Sequence, residues 1–76
     1  MANNQKPYYP NLVAEIARNG EILSSVAAKM GVSMPTLRRQ LGGLTQFSLD
    51  EAFRMRAILH LEEMPLEVLF QKRDGV

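Results

Sequence analysis

A glycine, a serine and a proline constrain the middle of this 76-residue chain more than any other feature. Gly31 directly follows Met30, the last residue of an apolar stripe at helical spacing, and glycine enters the left-handed region that stops a helix without steric cost. Two residues later Ser33 is a favourable N-cap, and Pro35 falls in the first turn of the following helix, where its missing N–H is not needed. The spacing therefore predicts two short helices joined by a tight turn.

Helical periodicity extends on both sides of this pair. Gly20 predicts the end of a first helix, and Ser48 with Glu51 predicts a capping box at the start of a fourth. Pro65 breaks that helix before a short amphipathic turn. We predict helices at about residues 10–18, 22–30, 34–41, 49–59 (or 61) and 66–70.

The apolar positions of these helices predict one small all-α core. On the fourth helix we expect Arg54 and Arg56 to be solvated surface charges, with Asp50 and Arg54 forming a favourable pair four residues apart. The predicted core residues are Tyr9, Leu12, Val13, Ile16, Ala17, Leu23, Val26, Ala27, Met30, Leu37, Leu41, Phe47, Leu49, Ala52, Phe53, Met55, Ile58, Leu59, Leu66, Leu69 and Phe70.

Length and composition predict one domain without disulfides. The chain has no cysteine, which excludes thiolate metal sites and thiol nucleophiles and favours a reducing cytoplasm. No apolar run approaches the roughly 20 residues that span a bilayer, and the N-terminus lacks the apolar segment of a signal peptide. We expect residues 1–7 to form a flexible arm, residues 8–71 the folded domain, and residues 72–76 a frayed tail.

Charge is unevenly distributed along the chain although the net charge is only +1. Between Ile22 and Leu49 the sequence has three positive residues, Lys29, Arg38 and Arg39, and no acidic residue. Such a basic stretch suits a surface that meets phosphate, while a solvated helix face is the plainer interpretation.

The spacing of Ala27, Gly31, Val32 and Leu37 is the helix-turn-helix pattern. Together with residues 9–12, 36–39, 47–49 and 69–70, it makes the chain similar to the Cro/repressor-type regulators of phages and prophages, the lambda-repressor-like family of Gram-positive phage type. The resemblance implies a compact five-helix domain in the cytoplasm of a bacterial host. It also implies sequence-specific binding to double-stranded DNA, with helix 34–41 in the major groove of a palindromic operator.

One face of the third predicted helix carries the candidate base contacts. With Leu37 directed inward and about 100° per residue, Met34, Pro35, Arg38 and Arg39 share the outward side. Arginine can pair with guanine O6 and N7, and Met34 or Pro35 can touch a thymine methyl. We expect one arginine to read a base and the other to bind a phosphate, which positions without specifying, and either arginine can take either role.

Candidate phosphate contacts flank that helix. The N-terminus of the second helix suits anions, so we expect the two serines there to contact phosphates. The resemblance implies that the loop after Leu41 follows the DNA backbone through main-chain N–H groups, although a simple connector is an alternative. The expected phosphate contacts are Ser24, Ser25, Ser33, Thr36, Gly43, Thr45 and Gln46.

Two positions depart from the family pattern. Relatives often carry Thr-Gln where this chain has Ile22-Leu23, and Leu23 can neither cap the helix nor bind a phosphate. The family prefers an apolar residue at position 40. Gln40 is therefore either partly buried and hydrogen-bonded, or the helix is rotated to bury Leu41 better.

The expected partners are DNA and a second copy of the chain, in a weak dimer that forms on DNA if not before. We expect no cofactor, metal, small-molecule ligand, membrane partner or enzymatic activity. Besides the missing cysteine, His60 is the only histidine and there is no Gly-rich phosphate loop. A protein-interaction module on a helix-turn-helix scaffold that has lost DNA binding is the alternative function.

Overall fold

The computed structural model describes residues 7–76, and within them the chain forms five helices and no strand. The predicted all-α class is confirmed, whereas the helix-turn-helix classification remains a prediction. Of the predicted N-terminal arm, residues 1–6 lie outside the described residues. The helices are α1 (Pro10–Arg18), α2 (Leu23–Met30), α3 (Met34–Leu41), α4 (Leu49–Ile58) and α5 (Leu66–Leu69).

The turn between α2 and α3 forms where the sequence predicts it. Gly31 has a φ of +77° and donates its N–H to Ala28 O at 3.1 Å, while Val32 donates to Ala27 O at 3.0 Å. This pair of bonds is a Schellman motif, which satisfies carbonyl groups that the end of a helix leaves unpaired. Ser33 then caps α3 by accepting a hydrogen bond from the N–H of Thr36 at 3.2 Å.

A histidine occupies the equivalent left-handed position at the end of α4. His60 has a φ of +58° and donates its N–H to Ala57 O at 3.0 Å, and Leu61 donates to Arg56 O at 3.0 Å. Among residues 7–76, His60 is the only non-glycine residue with positive φ. His60 therefore takes the left-handed backbone position after α4, which no pattern in the sequence predicts.

The core lies between α2, α3, α4 and the ends of α1 and α5. α2 packs against α3 and α4, and α5 packs against α1 and α4. Burial of these aliphatic side chains is the main favourable contribution to folding. The fully buried side chains are Leu12, Val26, Met30, Leu37, Met55, Leu59 and Leu69.

Three predicted core residues lie at the surface instead. Ala17 is exposed, Leu49 is 65% exposed and Phe53 is 45% exposed. Leu49 and Phe53 are one turn apart on α4, so they share a face that no other helix of the described chain covers. Helical periodicity identifies apolar positions but does not say which of two apolar faces meets the core.

The arginines of α4 connect it to neighbouring segments. Arg54 Nη1 donates to Met30 O at 3.2 Å, and Arg56 Nη1 donates to Met64 O at 3.1 Å. The guanidinium of Arg56 also lies 5.1 Å from the centroid of the Phe53 ring. The predicted pair of Asp50 with Arg54 does not form. Arg54 is exposed, as predicted, but its guanidinium group also binds the carbonyl oxygen at the end of α2, and half-buried Arg56 is not the solvated charge that was predicted.

Two asparagines attach α1 to the rest of the fold. Asn11 Nδ2 donates to Val68 O in α5 at 2.8 Å, and Asn19 Nδ2 donates to Leu59 O at the end of α4 at 2.8 Å. Both acceptors are carbonyl oxygens near helix C-termini, where main-chain acceptors lack helical partners. These bonds fix both ends of α1.

The segment after α5 contacts the start of the described chain. Arg73 donates its main-chain N–H to Tyr8 O at 2.9 Å, and the ammonium group of Lys72 lies 5.8 Å from the centroid of the Tyr8 ring. Lys72 and Arg73, which lie in the segment predicted to be frayed, therefore contact the start of the described chain. Tyr8 belongs to a cluster of edge-to-face rings that also contains Tyr9, Phe47 and Phe70.

No helix within residues 7–76 has the length and apolar character that crossing a membrane requires.

Candidate nucleic-acid interface

The outward face of α3 carries three of the four predicted base-contacting residues. Pro35, Arg38 and Arg39 are exposed, whereas Met34 is half-buried and packs against the hydrophobic core. Met34 therefore has less surface available for a base than predicted, because its position at the start of α3 lies beside the core. Leu37 on the opposite side is fully buried, which sets the orientation of the helix.

The two arginines of α3 point in different directions. With Leu37 at 0° and about 100° per residue, Arg39 lies at about 200° and Arg38 at about 100°. Arg39 and Pro35 therefore face almost directly away from the core, while Arg38 lies on the flank. Neither arginine forms an ion pair with another described residue.

Hydroxyl groups at the start of α3 are engaged within the helix. Ser33 Oγ donates to Thr36 Oγ1 at 2.9 Å, in addition to its role as N-cap. Arg39 Nη2 lies 3.5 Å from Thr36 Oγ1, at the long end of hydrogen-bond distances. The predicted phosphate contacts of Ser33 and Thr36 would have to compete with these bonds.

The start of α2 lies at one end of the candidate interface. Ile22 occupies the N-cap position and supplies no side-chain acceptor to the N–H groups of the first turn. Ser24 is exposed, whereas Ser25 is half-buried. Of the two predicted phosphate contacts here, Ser24 is the more accessible.

One positive charge of the basic stretch is paired within the protein. Lys29 Nζ donates to Glu21 Oε2 at 2.8 Å. Hydrogen bonds from Lys29, and then from Ser25, hold the pKa of the Glu21 carboxyl below its ordinary value. Because eight residues separate the two partners, no short-range spacing rule in the sequence predicts this pair. Arg38 and Arg39 remain as the basic groups of the stretch without an acidic partner in the described chain.

The loop after α3 uses its main-chain N–H groups to end the helix. Gly43 has a φ of +80° and donates to Gln40 O at 3.1 Å, and Leu44 donates to Arg39 O at 2.9 Å. The N–H of Thr45 also lies 3.4 Å from Arg39 O. These bonds argue against the predicted main-chain phosphate contact at Gly43. The polar side chains of Thr45 and Gln46 are exposed on this loop, beside the apolar Leu44.

Gly43 is required for a steric reason as well. A Cβ atom at this position would lie 2.5 Å from carbon atoms of the Tyr8 ring. Glycine therefore allows the aromatic cluster to pack against the end of α3, in addition to allowing the left-handed backbone.

Gln40 follows the first of the two predicted alternatives. It is only 4% exposed, and Nε2 donates to Glu51 Oε1 at 3.0 Å and lies 3.5 Å from Gln46 O. Glu51 Oε1 also accepts the N–H of Ser48 at 2.9 Å as part of the capping box of α4. Gln40 Oε1 is buried without a hydrogen-bond partner in the described chain, an arrangement that costs about 1–3 kcal/mol.

The described residues contain no group of three or more metal-ligating side chains that could hold a metal ion. Comparison of the chain with protein-family models, with curated proteins and with solved structures finds no match.

Proposed function

We propose that this protein is a sequence-specific double-stranded DNA-binding transcriptional regulator of the Cro/repressor type, acting in the cytoplasm of a bacterial cell. The observation that carries the proposal is the outward face of α3, where Arg38 and Arg39 are exposed and have no acidic partner among residues 7–76. A short helix with this face fits the major groove, which is about 12 Å wide.

The directions of the two arginines support a different role for each of them in DNA binding. Arg39 faces away from the core beside Pro35, so it is the residue proposed to read a base edge, preferably guanine O6 and N7. Arg38 on the flank is proposed to bind a phosphate and to fix the position of α3 in the groove. Arg39 Nη2 also lies 3.5 Å from Thr36 Oγ1 in the same helix.

Contacts to phosphates on either side of α3 complete the proposed interface. The first turn of α2 offers main-chain N–H groups that its N-cap side chain does not satisfy, and Ser24 lies there. Helix N-termini bind anions through these groups and through the helix dipole. Thr45 and Gln46 extend from the loop at the other end of α3.

A weak homodimer on a palindromic operator completes the proposal. One copy measures 34 × 25 × 23 Å, so two copies side by side can place their α3 helices in successive major grooves on one face of the duplex. Such helices are about 34 Å apart, one turn of B-DNA.

The proposal is tested by measuring binding of the protein to duplex fragments from upstream of its own gene at several salt concentrations. We expect one fragment to bind more tightly than a shuffled duplex, with a log–log salt slope of several units from phosphate contacts. The Arg38→Ala/Arg39→Ala double variant should lose this binding. Lys29→Ala is the matched control, because Lys29 belongs to the same basic stretch but is paired with Glu21.

A protein-interaction module is the second candidate function. The exposed Leu49 and Phe53 on the surface of α4 favour it. Leu49 also lines a groove together with Phe47, Leu66 and Phe70. If no duplex binds better than random DNA at low salt, the regulator proposal is wrong and this candidate replaces it.

A further inference from the structure

Gln40 is a polar residue at a buried position of α3. Its side chain is 4% exposed, and its oxygen has no hydrogen-bond partner within the described chain. A methionine would fill a similar volume and would remove this unpaired oxygen, but it would also take away the donor that faces Glu51 and Gln46. The role of the amide therefore lies in the hydrogen bonds that its nitrogen atom donates.

The nitrogen of Gln40 lies between two segments that follow α3. It donates to Glu51 Oε1 at 3.0 Å, which joins α3 to the first turn of α4, and it lies 3.5 Å from the main-chain oxygen of Gln46 in the loop. Glu51 is itself held by the N–H of Ser48 at 2.9 Å. One buried amide thus contacts both ends of the segment between Gln46 and Glu51.

We propose that Gln40 is a positioning residue that holds the loop between α3 and α4 in the shape in which Thr45 and Gln46 meet the DNA backbone. The inference rests on the proposed DNA binding. Main-chain bonds from Gly43, Leu44 and Thr45 to α3 fix the first part of the loop. Gln40 contacts the second part, at Gln46, where no further main-chain bond of the described loop reaches α3. Without the amide, these residues must be ordered when DNA binds, which lowers affinity.

The test replaces Gln40 with methionine, which keeps the length of the side chain and removes both donated hydrogen bonds. In the free Gln40→Met protein, we expect faster amide exchange at Thr45 and Ser48, whose N–H groups are hydrogen-bonded at the two ends of this loop, and unchanged exchange in the fully buried parts of α2 and α4. We expect duplex affinity to fall by about threefold to tenfold, the cost of ordering the loop. The salt slope should not change, because Arg38 and Arg39 remain.

Glu51→Gln is the matched control, because its side-chain oxygen can still accept from Gln40 and Ser48. We expect this variant to keep wild-type exchange in the loop and duplex affinity within about twofold, since the bond geometry is retained. Gln40→Leu is the second apolar variant, for use if the methionine variant does not fold.

The outcomes separate the inference from the proposed function. If the wild type binds no duplex selectively, the proposed function fails, while faster loop exchange in Gln40→Met still supports the hold on the loop. If the wild type binds its operator but Gln40→Met matches it in loop exchange and affinity, the inference is wrong. A large loss of thermal stability, with exchange faster throughout the protein, shows a purely structural role and overturns the inference as well.

Discussion

Arg54 on α4 donates a hydrogen bond to the main-chain oxygen of Met30, the last residue of α2, at 3.2 Å. A carbonyl group at a helix C-terminus lacks a helical partner and lies at the negative end of the helix dipole. The guanidinium group of Arg54 supplies the missing hydrogen-bond donor, and its positive charge is attracted by the negative end of the dipole. This bond attaches α4 directly to the helix pair that carries the candidate interface.

Replacing Arg54 with methionine should destabilise the protein although the residue is exposed. We expect a loss of about 1–2 kcal/mol in the free energy of unfolding, because hydrogen bonds from charged groups contribute more than neutral ones. Urea denaturation measures this loss. Arg38→Met is the control, since Arg38 is exposed and forms no ion pair within the described chain, and it should change stability by less than about 0.5 kcal/mol. Equal stability of the two variants would contradict the role of Arg54.

The two arginines of α3 should differ in what their loss does to DNA binding. Arg39→Ala should cost about 1–3 kcal/mol on the operator and relax the preference at one base pair. Arg38→Ala should weaken binding to all duplexes alike and reduce the log–log salt slope by about 0.9. Binding measured on operator variants at several salt concentrations distinguishes the two. The reverse pattern would exchange the roles, and a loss of thermal stability in either variant would show that its side chain does not face solvent.

Replacing His60 with glycine should stabilise the protein. His60 has a φ of +58°, a conformation that costs residues with a Cβ about 1–2 kcal/mol, and glycine loses part of that gain through its flexible unfolded state. We expect a net gain of about 0.5–1 kcal/mol, seen as a higher Tm in calorimetry. His60→Ala provides the comparison, because alanine keeps the strain. If the glycine and alanine variants have the same Tm, backbone strain at this position is not significant.

The pair of Glu21 and Lys29 should make stability depend on pH in acid. The pKa of the Glu21 carboxyl is lowered from its ordinary value of 4.5, so its charged form stabilises the folded state above that pH. This stabilisation is lost as the pH falls through the folded-state pKa. Glu21→Gln should therefore have a lower Tm than the wild type at neutral pH, and this difference in Tm should vanish in acid. Lys29→Met should reproduce the loss at neutral pH, and a Glu21→Gln difference that is the same at every pH would refute the pair.

The helix boundaries could be predicted because the residues that determine them act locally. Ser33 and Ser48 cap α3 and α4, and Gly31 and Gly43 take the left-handed positions after α2 and α3. Each of these effects involves only a few neighbouring residues along the chain. The same reasoning predicted the capping box with Glu51.

The contacts that cross between elements could not be predicted in the same way. Arg54 meets a carbonyl group 24 residues away, and Asn19 meets one 40 residues away. Any exposed long or polar side chain in the sequence could make such a bond, so only the packed arrangement of the helices identifies the acceptor. The same holds for the candidate site. The outward face of α3 could be predicted because Leu37 is buried, whereas the pairing of Lys29 depends on where the fold places Glu21.

The bond between Arg73 and Tyr8 brings the two ends of the described chain together. A linker of a few residues could therefore join them, and the exposed turn at Glu62-Glu63 between α4 and α5 offers a place for new termini. A circular permutant built in this way would keep α2, α3 and α4 contiguous. In this fold, the order in which the helices follow one another along the chain is thus less constrained than the way in which they pack.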